Sequence, residues 1–475
     1  MWQRGVHSAR GNLRGLARDW AMATTSPQTQ PLTVGEIIEQ RSIGAYQIWT
    51  VALCGLVLIL DGFDSQTINY LAPPISDALH IPIKNFGSIF SSGLFGLMVG
   101  ALTSGPIADR LGRKWPVVVS TLSFAAFSLV TVHVASFREL FFLRFLTGLG
   151  LGGAMPNVVA LASEFVPRRS LANVVTLLFV GMPLGGVICG LLSARMIPKW
   201  GWQSVLYLGG TIPLLIAILL IAGLPESIRF LAERGKNPEK VSEILHRIAP
   251  GLGGAEVRPT PRDTQHAGMP VVHLFTEGRA FGTLLLWIPY FMNLLILYFI
   301  GSWLPALLRQ TGMTVAAGAT ATAFFSLGGA FGCLIEGWLI ERYGAFAVLL
   351  AEFGGATLFV AALSKIPSSF GLMLTVTFAA GLMVIGAQGG LNAMAANFYP
   401  TAVRSTGVGW ALGIGRVGSI VGPLIGGAFL KAGWTPGGIL LAGTVPAASA
   451  FVAIALSRVG PGTSAYEDGP TVAAH

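Results

Sequence analysis

Long apolar stretches alternate with short polar segments along most of the chain. Each apolar stretch is close to the ~20 residues that an α-helix needs to cross the roughly 30 Å hydrocarbon core of a bilayer. The pattern predicts an all-α membrane protein with twelve transmembrane helices, near residues 46–70, 85–108, 115–135, 138–161, 170–194, 203–223, 281–304, 317–340, 345–364, 369–397, 403–430 and 437–457.

The longest polar segment between these stretches, 224–280, divides them into six and six. The sequence at 105–112 recurs in degenerate form at 337–344, an offset of 232 residues, and 164–167 recurs at 397–400, an offset of 233 residues. Two matches at nearly the same spacing indicate a duplicated unit. We therefore predict two pseudo-symmetric six-helix bundles at 41–223 and 281–457, a cytoplasmic connector at 224–280, and cytoplasmic tails at 1–40 and 458–475.

Composition supports a membrane protein, because 53% of the residues are hydrophobic and only 11% are charged. Soluble domains have roughly 25% charged residues. The net charge of +9 could indicate a nucleic-acid partner, but the cations follow the loops. They concentrate in alternate loops, as at Arg110, Arg113 and Lys114, and the positive-inside rule then places both termini in the cytoplasm. We expect a multi-pass protein of the plasma (inner) membrane that binds no nucleic acid.

The first forty residues contain a basic periodic segment. Arg10, Arg14 and Arg18 recur every fourth residue, with one acid, Asp19, beside them. A transit peptide or an amphipathic helix on the membrane surface has this pattern. An upstream region translated before a true start at Met22 has it too. A cleaved secretory signal is excluded because the segment has no apolar core.

Two carboxylates interrupt the first apolar stretch. Asp61 and Asp64 are three residues apart and therefore share one face of a helix. A charge in hydrocarbon costs a few kcal/mol or more, so such residues usually face a polar cavity on an ion or substrate path. Burial favours the protonated form of a carboxyl group and a nearby arginine favours the ionised form. The pair could carry one coupling proton; the alternative is a pair of fixed counter-ions for buried arginines.

Residues 105–114 fit the pattern G-x-x-x-D-R-x-G-R-K at every fixed position. Together with the duplication and the central connector, this segment resembles the loop between helices 2 and 3 of the major facilitator superfamily of secondary transporters. Further segments look like those of its aromatic acid:proton symporter family, the carriers of 4-hydroxybenzoate, protocatechuate and related compounds. These segments are 61–64, 144–157, 224–231 and 398–418.

The resemblance runs from about residue 34 to residue 458 and implies a particular activity. It implies import of an aromatic carboxylate, driven by protons, through alternating access. We expect no enzyme, since no Ser-His-Asp, metal or phosphate-loop constellation appears. We also expect a monomer that uses no cofactor apart from the coupling proton.

A carboxylate that enters a dry cavity needs a fixed cation, and the forked guanidinium of arginine binds it at two points. Arg144, early in the fourth apolar stretch, and Arg416, in the middle of the eleventh, are the candidates, unless they pair with buried acids. Adding 232 to position 61 gives the uncharged Asn293, so we expect the protonation site to be confined to the N-terminal half. Asn293, Gln388 and Asn392 are further substrate-binding candidates, with interhelical hydrogen bonding as the alternative.

Charged residues at the cytoplasmic helix ends are the candidates for gating. Asp109 could pair with a cation or a helix end across the gap between the halves; the alternative is a basic loop without a gating role. The second copy of the motif has Glu341 in place of the aspartate and lacks the Arg-Lys pair, so we expect a weaker clamp there. The gating candidates are Asp109, Arg110, Gly112, Arg113, Lys114, Glu164, Glu341, Arg342 and Arg404.

Two other functions remain alternatives. Residues 418–427 fit the G-x-x-x-G-P-x-x-G-G pattern of proton-driven antiporters, although that pattern belongs to helix 5 and not to helix 11. A proton-driven exporter of organic anions or drugs is therefore one alternative, and a non-transporting membrane sensor of aromatic acids is the other. Glu336 and Glu352 also interrupt apolar stretches, and the sequence assigns them no role beyond lining a polar crevice or reaching toward the membrane surface.

Overall fold

The computed structural model describes residues 34–39, 41–234, 238–248, 271–276, 278–365, 369–400 and 403–457. The basic segment at 10–18, the candidate start at Met22 and the tail at 458–475 lie outside the described residues. Within the described part, twelve helices are long and apolar enough to cross a membrane, which confirms the predicted number.

The spanning helices are numbered in chain order. They are α1 (Ala45–Leu79), α2 (Phe86–Leu111), α3 (Lys114–Thr131), α4 (Phe137–Phe165), α5 (Arg168–Trp200), α6 (Gln203–Gly223), α7 (Ala280–Gln310), α8 (Val315–Tyr343), α9 (Ala345–Ser364), α10 (Phe370–Phe398), α11 (Arg404–Lys431) and α12 (Pro436–Ser457, with a turn after Ala442). The shorter helices are Val34–Glu39, Ile228–Arg234 and Pro238–Ile248, with 3-10 turns at Ile83–Asn85 and Val271–Leu274.

Several helices continue past the apolar stretches that predict them. The first stretch ends near residue 70, but α1 continues to Leu79 through Pro73 and Pro74. Proline is tolerated in membrane helices because neighbouring helices and side chains satisfy the freed backbone groups. Leu71 and Ile75 are completely buried in this extension, so it is held by packing within the protein.

The duplication is visible in the turns that follow α2 and α8. Gly112 and Gly344 have φ angles of +89° and +78°. Each amide donates to the carbonyl oxygen four residues earlier, at Ala108 and Ile340, over 2.9 Å. Glycine adopts a positive φ without steric cost. The same turn therefore occurs at the same position of both repeats.

Two equivalent helix pairs cross with their backbones in direct contact. A side chain at Gly96 of α2 would collide with the carbonyl oxygen of Phe145 on α4, and one at Gly328 of α8 would collide with that of Phe378 on α10. Small residues permit such close approach where packing drives the association of membrane helices. Both predicted six-helix bundles are thus closely packed in the same way.

The two bundles touch toward one face of the membrane. We call the face with the α2–α3 turn and the end of α6 the connector face, and the opposite one the far face. Toward the far face, Ser91 Oγ on α2 donates to the carbonyl oxygen of Ile420 on α11 over 2.6 Å. Gly190 on α5 lies against the Ala323 side chain on α8. These contacts join the N-terminal bundle to the C-terminal bundle.

The surfaces of α2 and α11 that meet at Ser91 and Ile420 move apart toward the connector face. Gly105 lies on the same face of α2 as Ser91, nearer the connector face. Gly413 and Gly409 likewise lie on the same face of α11 as Ile420. All three glycines are exposed, and a methyl group on any of them would meet nothing within 4 Å. The bundles are therefore packed together toward the far face and are apart toward the connector face.

Candidate functional site

Arg144 on α4 and Asp64 on α1 form a buried charged pair in the N-terminal bundle. Arg144 Nη1 lies 3.9 Å from Asp64 Oδ2, and the two side chains are 3% and 1% exposed. Ser128 on α3 donates to Asp64 Oδ1. Arg144 Nη2 donates to Thr131 Oγ1 over 3.2 Å and to Thr147 Oγ1 over 3.3 Å. Three helices thus hold the two charges in place.

The hydrogen bonding of this charged pair is incomplete. Asp64 Oδ2 and Arg144 Nε are buried and have no hydrogen-bond partner. Both residues line a cavity of about 40 Å³, which Phe90 of α2 and Tyr298 of α7 also line. A water molecule needs about 10–15 Å³, whereas an engineered cavity that binds benzene measures about 150 Å³. This cavity therefore has room for a few water molecules but not for an aromatic ring.

Asp61 lies one helical turn from Asp64 toward the connector face. Ser65 Oγ donates to Asp61 Oδ1 over 3.2 Å. The guanidinium of Arg416, on α11 of the other bundle, interacts with Asp61 electrostatically. Arg416 Nη2 also reaches to within 4.0 Å of Met155 Sδ on α4, a weak acceptor. Arg416 is half-buried and has no acidic group within ion-pair distance among the described residues.

The polar candidates of the C-terminal bundle form a cluster between α7 and α10. Asn293 Nδ2 donates to Gln388 Oε1 over 3.2 Å, and Tyr290 Oη donates to Asn392 Oδ1 over 2.8 Å. Interhelical hydrogen bonding, the alternative role of these amides, is therefore present. Two atoms of the cluster, Asn293 Oδ1 and Gln388 Nε2, are buried without a partner. The cluster thus keeps one acceptor and one donor for another group.

The gating candidates of the N-terminal bundle form a network at the connector face. Arg113 Nη1 lies 2.5 Å from Glu164 Oε1, and Ser227 Oγ donates to Glu164 Oε2 over 2.6 Å. Glu226 Oε1 accepts from the amides of Arg113 and Lys114 at 2.7 and 3.1 Å, where the dipole of α3 favours a carboxylate. Glu226 is not among the site residues predicted from the sequence, although it lies in the family-like segment 224–231.

The remaining gating candidates are arranged differently. Asp109 and Arg110 are exposed at the end of α2. The guanidinium of Arg342 lies 5.7 Å from the ring centroids of both Trp338 and Tyr343, while Glu341 is exposed. Arg404 Nε donates to a backbone carbonyl oxygen 3.3 Å away. The contacts of Arg113, Arg342 and Arg404 stay within their own halves, as expected where the bundles are apart.

Comparison with known proteins places this geometry in a family. The Major Facilitator Superfamily family model matches residues 54–389 and 286–472. Over 425 residues, the chain is 40% identical to the 4-hydroxybenzoate transporter PcaK of Pseudomonas putida, covering 89% of this chain and 95% of that protein. It is 41% identical over 409 residues to the gallate transporter of Pseudomonas putida, covering 86% and 91%.

The fold is also similar to a solved structure. This is the xylose transporter XylE from E. coli in a partially occluded inward open conformation, with a TM-score of 0.67, 14% identity, and coverage of 87% of this chain and 97% of that one. The fold and the family predicted from the motifs are confirmed, and the members of this family are transporters and not enzymes. The chain belongs to the Major Facilitator Superfamily and, within it, to the aromatic acid transporter family.

Proposed function

We propose that the protein imports an aromatic carboxylate of the 4-hydroxybenzoate or benzoate type together with protons, across the plasma (inner) membrane. The observation that carries the proposal is Arg416, a half-buried cation that faces the other bundle beside the buried Asp61. The substrates in the names of two relatives, 4-hydroxybenzoate and gallate, support the substrate class. Because one chain supplies both bundles and all of these residues, a monomer suffices for transport.

Coupling follows from the competition between Asp61 and the substrate for Arg416. An ionised Asp61 weakens the positive potential at the guanidinium and repels a bound carboxylate, and protonation of Asp61 removes both effects, so that Arg416 binds the carboxylate at two points more tightly. A bound proton then increases the affinity for the substrate, and a bound substrate increases the affinity for the proton by the same free energy. Asp64 and Arg144 extend this polar path toward the far face, and their water-sized cavity can pass a proton.

The amide cluster between α7 and α10 supports recognition of a ring substituent. A phenolic hydroxyl can both donate and accept a hydrogen bond. Asn293 Oδ1 and Gln388 Nε2, both buried without a partner, match those two capacities. A ring hydroxyl bound there would satisfy two polar atoms that burial otherwise penalises.

Alternating access follows from the asymmetric packing of the bundles. If the connector face is cytoplasmic, as the loop charges predict, this conformation faces inward. Opening to the outside would break the Ser91–Ile420 hydrogen bond and bring the connector-face ends of α2 and α11 together. Asp109 and Arg110, now exposed, would then approach the C-terminal bundle and could act as a gate.

Uptake by reconstituted vesicles tests the proposed function. With the protein oriented as in cells, an outside-acid pH gradient should drive accumulation of labelled 4-hydroxybenzoate, and a protonophore should abolish it. A proton-driven exporter would instead accumulate substrate when the interior is acidic. A sensor would support neither accumulation nor counterflow. Accumulation that requires an acidic interior, or no transport at all, would contradict proton-driven import.

The orientation of the chain is tested by cysteine labelling in cells. After removal of Cys54, Cys189 and Cys333, a cysteine at Arg110 should resist a membrane-impermeant maleimide until the membrane is permeabilised, because we place the connector face in the cytoplasm. A cysteine at the exposed Lys199, at the far-face end of α5, should react in intact cells. The reverse pattern would overturn the topology.

A further inference from the structure

A second pair of buried carboxyl groups lies in the C-terminal bundle, away from Asp61 and Asp64. Glu336 on α8 and Glu352 on α9 are 4% and 5% exposed. The amide of Gly390 on α10 donates to Glu336 Oε1. A methyl group on Gly386 would lie 3.0 Å from Glu352 Oε1. Gly386 and Gly390 are one helical turn apart, so the two carboxyl groups are neighbours against α10.

No cation balances this pair among the described residues. Neither glutamate forms an ion pair there. The charged group that interacts electrostatically with Glu352 is the carboxylate of Glu336. The thiol of Cys333, on α8, is the titratable group beside both carboxyl groups. Helices α9, α10 and α12 carry no titratable side chain other than Glu352. Two unbalanced negative charges inside a membrane bundle would be costly, so a proton bound to one carboxyl group is the simplest way to remove one charge.

The hydrogen bonds distinguish the two glutamates. Glu336 accepts from the α10 backbone, and such a bond favours an ionised carboxylate. Glu352 Oε2 is buried without any partner, which is unfavourable for a charged oxygen. Glu352 Oε2 is therefore the oxygen that more favourably carries a proton.

We propose that Glu336 and Glu352 form a proton-binding site of the C-terminal bundle that holds one proton, carried by Glu352. The site is separate from the proposed coupling carboxylates, which lie in the other bundle. Each glutamate is seven residues from the connector-face end of its helix, at Tyr343 and Ala345. At 1.5 Å per residue the site lies about 10 Å from these helix ends.

Helix α10 connects the proton-binding site to the amide cluster. Gly386 and Gly390 meet the two glutamates, while Gln388 and Asn392 of the same two turns contact α7. Loss of the proton from Glu352 would place two negative charges side by side against this glycine-rich stretch, and their mutual repulsion would push the helices apart. The occupancy of the site would then shift Gln388 and Asn392 relative to their partners on α7.

Infrared spectroscopy of the reconstituted full-length protein tests the proposal without any transport measurement. A protonated carboxyl group has a C=O stretching band that a carboxylate and a glutamine amide lack. We expect this band in the wild type at neutral pH, its reversible loss at alkaline pH, and its persistence in the Asp61→Asn/Asp64→Asn double variant. Adding Glu352→Gln to that double variant should remove the band. If the carboxyl spectra of Glu352→Gln and the wild type were identical, the pair would hold no proton.

Labelling with dicyclohexylcarbodiimide, an apolar reagent for protonated carboxyl groups, gives a second readout. Mass spectrometry should find the label on Glu352 at neutral pH and less of it at alkaline pH, but not on the exposed Glu243 of the connector. In Glu336→Gln the label on Glu352 should be lost at a lower pH, because the neighbouring negative charge is gone. A merely structural glutamate would not shift in this way. Absence of label on Glu352 at every pH in the folded protein would overturn the proposal.

Discussion

Replacing Asp61 with asparagine should abolish proton-driven accumulation of substrate while substrate exchange across the membrane continues. An amide resembles the protonated acid in shape and charge, so Arg416 stays free to bind a carboxylate, but the amide cannot release a proton. Accumulation under an imposed pH gradient and exchange of labelled for unlabelled substrate, measured in the same vesicles, separate coupling from binding.

Two other aspartates of α1 provide the comparison for Asp61→Asn. Asp77→Asn removes an exposed ion pair with Arg309 of α7, 3.9 Å long, and should still accumulate substrate to the wild-type level, because exposed ion pairs contribute little free energy. Asp64→Asn should lose accumulation as well, and because it leaves Arg144 as a buried unpaired charge it should also lower the stability of the protein, by about 3–5 kcal/mol. Normal accumulation by Asp61→Asn would mean that this carboxylate is not the coupling group.

Replacing Arg416 with lysine should weaken substrate binding strongly even though the positive charge is kept. An ammonium group cannot reproduce the planar two-point contact of a guanidinium with a carboxylate. Loss of a buried charged hydrogen-bond partner costs about 2–5 kcal/mol, which corresponds to about 30- to 5000-fold in affinity. Equilibrium binding of labelled benzoate to the purified protein measures this loss.

The comparison of benzoate with benzamide identifies what Arg416 recognises. The wild type should prefer benzoate, and Arg416→Ala should lose that preference because the amide carries no charge to pair. Lys431→Ala, at the exposed end of the same helix, should leave both affinities unchanged. If Arg416→Ala kept the full preference and affinity, the anchor would be elsewhere, and Arg144 would be the next candidate.

Hydropathy predicts the limits of a helix in this chain well where the whole length of the helix is apolar. The limits predicted for α6 and α9 match the structure, whereas α1 and α5 extend several residues further. Hydropathy reports contact with lipid, and a helix can continue where its side chains are polar or packed against protein. The helix Pro238–Ile248 was missed for a related reason. Its buried Val241, Ile244, Leu245 and Ile248 recur at helical spacing inside a segment that is hydrophilic on average.

The types of the site residues could be predicted, but their partners could not. Polar residues in apolar stretches are conspicuous, so the sequence proposes Asp61, Asp64, Arg144 and Arg416 as candidates, whereas Glu226 lies in a polar segment and is not among the predicted site residues. Which acid meets which arginine depends on helix rotation and crossing, which the sequence does not express directly. The repeat offsets of 232 and 233 do single out these positions, since Asp61, Arg144 and Arg416 correspond to the uncharged Asn293, Thr377 and Pro183 of the other half. The two halves therefore share their helix packing but do not share these charged residues.

The interlocked glycine crossings also limit where this molecule can deform. In the α2–α4 and α8–α10 pairs, backbone lies on backbone without a flexible side chain between them, so little relative sliding can occur inside either bundle. Motion is left to the seams between the bundles, which include those between α1 and α7, between α2 and α11 and between α5 and α8. The turnover rate would therefore be governed by the strength of these seams, while substrate affinity would be governed by the arginines and amides between them. Substitutions along a seam would then change speed without changing selectivity.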